Sequence, residues 1–412
     1  MNDISTATHQ ASSSQPGRVY SYGELVDYLN ALPAYEYGVR AVDRMTALNT
    51  VFRDIMHSIN TILVGGASGK SLSINFAAKL FAEESMLSCA LYSSHFLTYN
   101  ERIVCNGEQI SNKTFTDLMN QVVVAVEAAQ IRPTTHERIV LVGFLYALEQ
   151  KAEVLLLEVP LGGQFDVSVV CTPKITAVTR IAQVSAGNIG DDLDAVAEEM
   201  VSIAQPGAIF ISAEQSKIRL QKMKGWVEGR GGLWSMPVRK LANLPYIYEQ
   251  LYGRTASLGE RITQLYVEEV LKRFSPFLRG NLLATQEGQR GRPTLEAKRA
   301  AEINPIKSMK LFWKEQYSFL RVRFEVLDKE KLLIVLDTAS NVDGVTNVFL
   351  GIRLLHYQRG LKGFVLILGV PQGQNNAELF KAVRYLLKKV TGEVIFVPLH
   401  HSPSGSCDTE EL

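Results

Sequence analysis

"LVGGASGKSLSINF", residues 63–76, decides how the rest of the chain is read. An apolar run enters glycines, then a lysine, then hydroxyls, then a stretch with helical period. Gly66, Gly69, Lys70 and Ser71 spell G-x-x-G-K-S between an expected strand and an expected helix. Such a loop lets backbone N–H groups and a helix N-terminus approach phosphate closely, and the lysine adds a point charge. A glycine turn capping an ordinary buried helix reads similarly, so the loop alone does not fix a function. Leu72 also stands among the hydroxyls, where a magnesium-bound phosphate needs oxygen.

Strands and helices alternate outward from this loop. "TILVG" (61–65), "MLSCALYS" (86–93), "EVLLLEV" (153–159) and "KITAVTRI" (174–181) read as strands. Residues 71–84, 112–130 and 136–150 carry helical periods between them. That alternation implies a parallel sheet covered by helices. The polar stretch "ATQEGQRGRPTLEAKRAAE" (284–302) interrupts it, and a second α/β pattern follows, with strands at 331–338, 363–369 and 393–398. The expected organisation is a polar lead over 1–18, a large α/β domain with a P-loop-type ATP-binding loop over 19–289, a linker at 290–303, a smaller Rossmann-like domain over 304–400 and a polar tail over 401–412.

Composition narrows the function classes. Lys plus Arg is 43 and Asp plus Glu is 42 over 412 residues, which disfavours a nucleic-acid footprint spread over the chain. The local run of Arg290, Arg292, Lys298 and Arg299 reads as a charged linker, and His400 and His401 as solvated tail residues. No run reaches the ~18 apolar residues of a membrane span, and the first residues lack the apolar core of a signal peptide. Cys89, Cys105, Cys171 and Cys407 form no C-x-x-C, so neither a zinc site nor a disulfide framework is expected. Reduced thiols and a cytoplasmic location follow from that reading.

Three further stretches carry a resemblance. "LYSSHFLTYNERIVCNGEQIS" (91–111) is similar to the L-Y-T-S-P-H-L-x-x-F-N-E-R-I-x-x-N-G-x-x-I-S segment of folylpolyglutamate and dihydrofolate synthases. "LLLEVPLGGQFDVSVV" (155–170) resembles that family's L-E-V-G-L-G-G-R-L-D-A-T-N. "RFEVL" and "LLIVLDTASNVDG" (323–344) resemble its R-F-E-V-L and I-L-D-G-A-H-N-P. On these motifs, in the family's order and spacing, the chain is identified as a member of that branch of the Mur-ligase superfamily. The resemblance implies an α/β fold with an ATP-binding domain and a smaller C-terminal ligase domain. It implies ATP and Mg²⁺ as cofactors, and glutamate and a folate-like molecule as small-molecule partners. The implied reaction is phosphorylation of a folate carboxylate by ATP and attack by the glutamate amine.

Carried over residue by residue, the resemblance is incomplete. Gly66, Gly69 and Lys70 match the family's G-T-N-G-K-G-S, but its metal-binding hydroxyl aligns with Leu72. Glu158 matches the metal-binding glutamate. Val184 and Ser185 stand where the family has an aspartate and a metal-binding histidine. Met200 aligns with the lysine that carries a carbamate. Arg323, Asp337 and Asn341 match positions that the family turns toward nucleotide and acyl phosphate, while Ser340 replaces a histidine there. The family's H-Q-x-x-N-A helix has no visible counterpart near 251–271, and "PQGQNNAE" (371–378) replaces its K-D-K-D stretch. His95 stands near the family's substrate-loop histidine, one residue out of step.

A thioether cannot carry a carbamate, and an isobutyl group cannot ligate a hard cation. The joint losses lead us to expect an impaired or inactive ligase that retains at most nucleotide or folate-like ligand binding, with room for a protein partner. The alternative is an active folylpolyglutamate/dihydrofolate synthase with rearranged metal ligands. The organisation itself is open to test. Limited proteolysis should cut first within 290–303, and early cleavage inside 60–200 would contradict the two-domain assignment.

Overall fold

The computed structural model describes residues 19–160, 162–183, 192–239, 241–275, 277–278, 312–313, 320–328, 332–339, 341–370 and 376–398. The expected lead, linker and tail lie outside those residues, as do Val184, Ser185, Ser340, the basic run and the 400–401 histidine pair.

Eight strands form the central sheet: β1 (Thr61–Gly65), β2 (Ser88–Leu91), β3 (Ile103–Cys105), β4 (Glu108–Gln109), β5 (Val154–Glu158), β6 (Pro173–Val178), β7 (Ile209–Ser212) and β8 (Leu233–Trp234). Their order is β4-β3-β2-β5-β1-β6-β7-β8. Every residue of β1 is buried, because β1 lies between β5 and β6 with helices over both faces. The period of two along a strand then sorts the side chains. Leu63 points into one apolar cluster with Leu155 and Leu157. Ile62 and Val64 point into the opposite one with Leu156.

Helices α1 (Tyr22–Asn30), α2 (Val39–Val51), α4 (Asn112–Ala128), α5 (Thr135–Glu149), α6 (Leu193–Val201) and α7 (Lys217–Gly229) cover the Leu63 face. Helices α3 (Lys70–Glu83) and α8 (Tyr246–Leu265) cover the other. The last two cross closely at Gly259, where an added Cβ would lie 2.8 Å from Phe76 Cβ and 3.0 Å from Ser73 O.

The second unit has an antiparallel ribbon of β9 (Glu325–Leu327) and β10 (Ile334–Leu336) and a parallel pair of β11 (Phe364–Gly369) and β12 (Gly392–Val397). Helices α9 (Val342–Arg359) and α10 (Asn376–Leu387) pack on the latter. Phe324 and Leu355 of this unit share an apolar cluster with Phe76 and Leu80 of α3 and Leu251 of α8. The two units therefore meet over the helix that the phosphate-type loop begins.

Two expectations are corrected. The sheet is not wholly parallel, because β3 and β4 run antiparallel at one edge. Asn106 and Gly107 turn that hairpin with φ of 50° and 82°, a left-handed pair suited to a two-residue turn. The cysteines are not all reduced either. The pairing of β2 with β3 sets Cys89 opposite Cys105, and the two form a disulfide across a Cα–Cα distance of 4.1 Å. Spacing along the sequence cannot reveal a bridge created by strand register. The bridge removes the thiol argument for a cytoplasmic location. Cys171 is free and buried.

The α3–α8 crossing gives a stability test. Gly259→Ala should destabilise the protein by about 1–3 kcal/mol through overpacking. A fall in the urea midpoint with unchanged slope would show it, and an unchanged midpoint would contradict the packing.

Candidate functional site

The loop after β1 is shaped by two close approaches. Gly66 and Gly69 have φ of 115° and 90°, a region that glycine adopts freely. A Cβ on Gly66 would overlap the Thr179 side chain, with the Thr179 backbone N at 2.8 Å. A Cβ on Gly69 would lie 3.1 Å from Thr255 Oγ1. Ala67 N also donates to Arg180 O at 2.8 Å. The loop is thus held between the end of β6 and the middle of α8, and it releases α3 with no side-chain cap over its first N–H groups.

Lys70 folds back within the loop. Its Nζ donates to Gly66 O at 2.9 Å and Pro160 O at 3.0 Å. Burial lowers its pKa, opposed by the charges of Glu158 and Asp166. Glu158 ends β5 and is buried, accepting from Ser71 Oγ at 2.9 Å and Ser93 N at 3.3 Å. Leu72 instead turns into the apolar cluster with Phe76, Leu80 and Ile247. The expectation attached to Leu72 is therefore adjusted: the loop does place a hydroxyl beside Glu158, but it is that of Ser71.

The second unit closes the other side. Arg323 Nη1 hydrogen-bonds Thr338 Oγ1, and its Nη2 reaches Ser94 Oγ at 3.5 Å. Asp337 accepts from Phe324 N and Ala339 N, both at 2.7 Å. Burial raises the Asp337 pKa, while those bonds and Arg323 hold it down. Asn341 caps α9 by accepting from Gly344 N at 2.8 Å, and it meets Ser68 Oγ at 3.5 Å. Arg180 pairs with Asp343 at 3.1 Å. Lys70, Ser71, Glu158, Arg323, Asp337 and Asn341 all line one cavity of about 990 Å³. Arg180, Arg254 and the two threonines line it too, and sequence reading passed over them. Thr179 opens a stretch aligned only for its missing histidine, and α8 had no motif to align.

Met200 is on α6, 2% exposed, in the apolar cluster with Val196, Ala197 and Ile203. Among the described residues no group of three or more His, Cys, Asp or Glu is placed to hold a metal. His95 lines the cavity with its ring 4.4 Å from that of Tyr99, and burial lowers its pKa. Behind Glu158, Asp166 is buried and accepts from Tyr35 Oη at 2.6 Å and Ser168 N at 2.9 Å. Burial pushes its carboxyl above the usual range, against those bonds and Lys70.

No family model matches the chain. Individual proteins do. A dihydrofolate synthase/folylpolyglutamate synthase of Bacillus subtilis is 29% identical over 195 residues, 46% of this chain and 45% of the relative. The chain spans about half the length of the curated relatives it matches. A folylpolyglutamate synthase solved as an AMPPCP–folate complex superposes with a TM-score of 0.73 at 18% identity, over 93% of this chain and 92% of that one. The bifunctional synthase of Yersinia pestis, complexed with AMPPNP and manganese, gives 0.69 at 17% identity, over 95% and 87%. The fold is the α/β fold of the Mur-type ligases, with a loop-bearing sheet domain and a smaller C-terminal unit. Within that fold, the relatives matched over 46% and 58% of this chain are named dihydrofolate synthase/folylpolyglutamate synthase and folylpolyglutamate synthase, and those are the proteins the chain is similar to.

The Asp166 environment predicts a pH effect. A carboxyl whose pKa is higher in the folded than in the unfolded chain leaves the native state holding more protons between the two values. Its contribution to stability therefore falls as pH rises from the ordinary aspartate range, ~3.9, through the folded value. Asp166→Asn removes this term, so the stability difference between variant and wild type should move in favour of the variant across that window. A difference independent of pH in urea titrations would contradict it.

Proposed function

We propose that this protein binds a nucleoside triphosphate across the cavity and is impaired in the ligase reaction of its family. The cradle for the nucleotide is Gly66, Gly69, Lys70 and Ser71 on one side and Arg323, Asp337 and Asn341 on the other. Glutamate and a folate-like molecule are the small-molecule partners in this reading, by likeness to relatives. No helix among the described residues is long and apolar enough to cross a membrane. We keep a cytoplasmic location as part of the proposal, and the Cys89–Cys105 bridge is the observation that weighs against it.

A divalent metal would be held by Glu158 and Ser71, whose two oxygens suit a hard cation completed by phosphate and water. Such an ion neutralises phosphate charge. A second ion that depends on a carbamate does not fit, because Met200 is a thioether sealed in an apolar cluster. That buried methionine is the observation that carries the proposal. Charge-stabilising groups of this kind are typically worth about 3–4 kcal/mol each, or roughly 100- to 1,000-fold in rate.

The second reading, an active synthase with rearranged ligands, is favoured by one observation: Ser71 Oγ sits 2.9 Å from Glu158. Purified protein with ATP, magnesium, glutamate and reduced folates separates the two. The proposal expects no glutamate-dependent ADP above a protein-free control. Release at about 1 s⁻¹, an ordinary enzyme rate, would favour the second reading.

A further inference from the structure

We propose that Arg180 and Arg254 are phosphate-binding residues, and that they let the loop hold a polyphosphate without a divalent metal. The proposal rests on the nucleotide reading above and assigns the charge that serves it.

The argument begins with position. The two residues that press on the loop glycines are Thr179 on Gly66 and Thr255 on Gly69. Arg180 follows the first in the chain and Arg254 precedes the second. An arginine therefore adjoins in the chain each of the two residues that shape the loop. Both line the cavity that holds Lys70. Ala67 N donates to Arg180 O, which ties the first arginine to the loop backbone.

A second observation is independent of charge. Thr179 is 3% exposed, and among the described residues its Oγ1 has no hydrogen-bond partner. A buried hydroxyl without a partner is uncommon and needs an account. Beside a glycine loop on the cavity wall, an oxyanion is the ligand that supplies one.

The arginines are also available. The Arg254 Nη1 makes one bond, to Val238 O at 3.3 Å. Arg180 is 55% exposed at its side chain and pairs with Asp343 of α9. An exposed single ion pair is worth little, so a phosphate with several negative oxygens outcompetes one carboxylate for that guanidinium. Guanidinium groups bind phosphate through fixed forks of N–H donors, and they stay charged throughout the physiological range. Two of them facing a loop with a lysine can neutralise charge that a metal otherwise carries.

The test is calorimetric titration of the full chain with ATP and with inorganic tripolyphosphate, each in EDTA and in magnesium. We expect both probes to bind in EDTA. Arg180→Ala and Arg254→Ala should each weaken binding about tenfold or more, and Asp343→Asn should tighten it several-fold by freeing Arg180. Arg359→Ala, an exposed arginine outside the cavity, should change nothing. Circular dichroism of each variant checks the fold, and the gain expected of Asp343→Asn cannot come from misfolding. Binding of ATP only with magnesium, or equal affinity in both arginine variants and wild type, would overturn the inference and leave the nucleotide reading standing. Tripolyphosphate bound through the arginines with no gain from the nucleoside would do the reverse. No binding of either probe would overturn both.

Discussion

Two glycines without room for a side chain hold this site together. Gly66 is closed on by Thr179 and Gly69 by Thr255, and both glycines sit at positive φ. Any side chain at either position pushes the loop away from β6 or from α8 and adds backbone strain. The polar groups of the loop and of the first turn of α3 inherit their place from that clamp. Lys70 can fold back onto Gly66 O and Pro160 O, and Ser71 can reach Glu158, only because the loop turns sharply there. The second unit docks on the outer side of the same helix, so Asn341 meets Ser68 at the loop itself.

Burial and function pull in different directions around the clamp. α3 is buried along most of its length, and Leu72, Phe76 and Leu80 give it to the contact with α8 and the second unit. A helix so embedded makes a rigid support for the loop. The same packing turns Leu72 into an apolar cluster. Met200 shows the same preference on the other face, where a long unbranched thioether fills a cluster of aliphatic side chains. Glycines and apolar contacts make the frame of the site, and the positions of Leu72 and Met200 belong to that apolar frame.

The loop, β1 and β5 were legible because local chemistry marks them. Glycines, a lysine and a long apolar strand leave few alternatives. The β3–β4 hairpin carried its own Asn106–Gly107 signal, which was read as part of a motif and not as a turn. Helix α8 was not legible as part of the site. Its Thr255 matters through tertiary packing on Gly69, and no spacing in the sequence records that contact. The Cys89–Cys105 bridge was hidden for the same reason, since it depends on the register of β2 against β3. The position of Ser71 depended on which way the first turn of α3 faces, which is set by the packing of Leu72.

The central claim is that the clamped loop is a working phosphate receptor. Equilibrium dialysis of ATP against wild type and Lys70→Met measures it most directly. Methionine keeps most of the length of the lysine side chain and removes its charge. The account predicts saturable binding to wild type and its loss in the variant, with the melting profile retained. Equal binding to both proteins, or none to wild type, would contradict it.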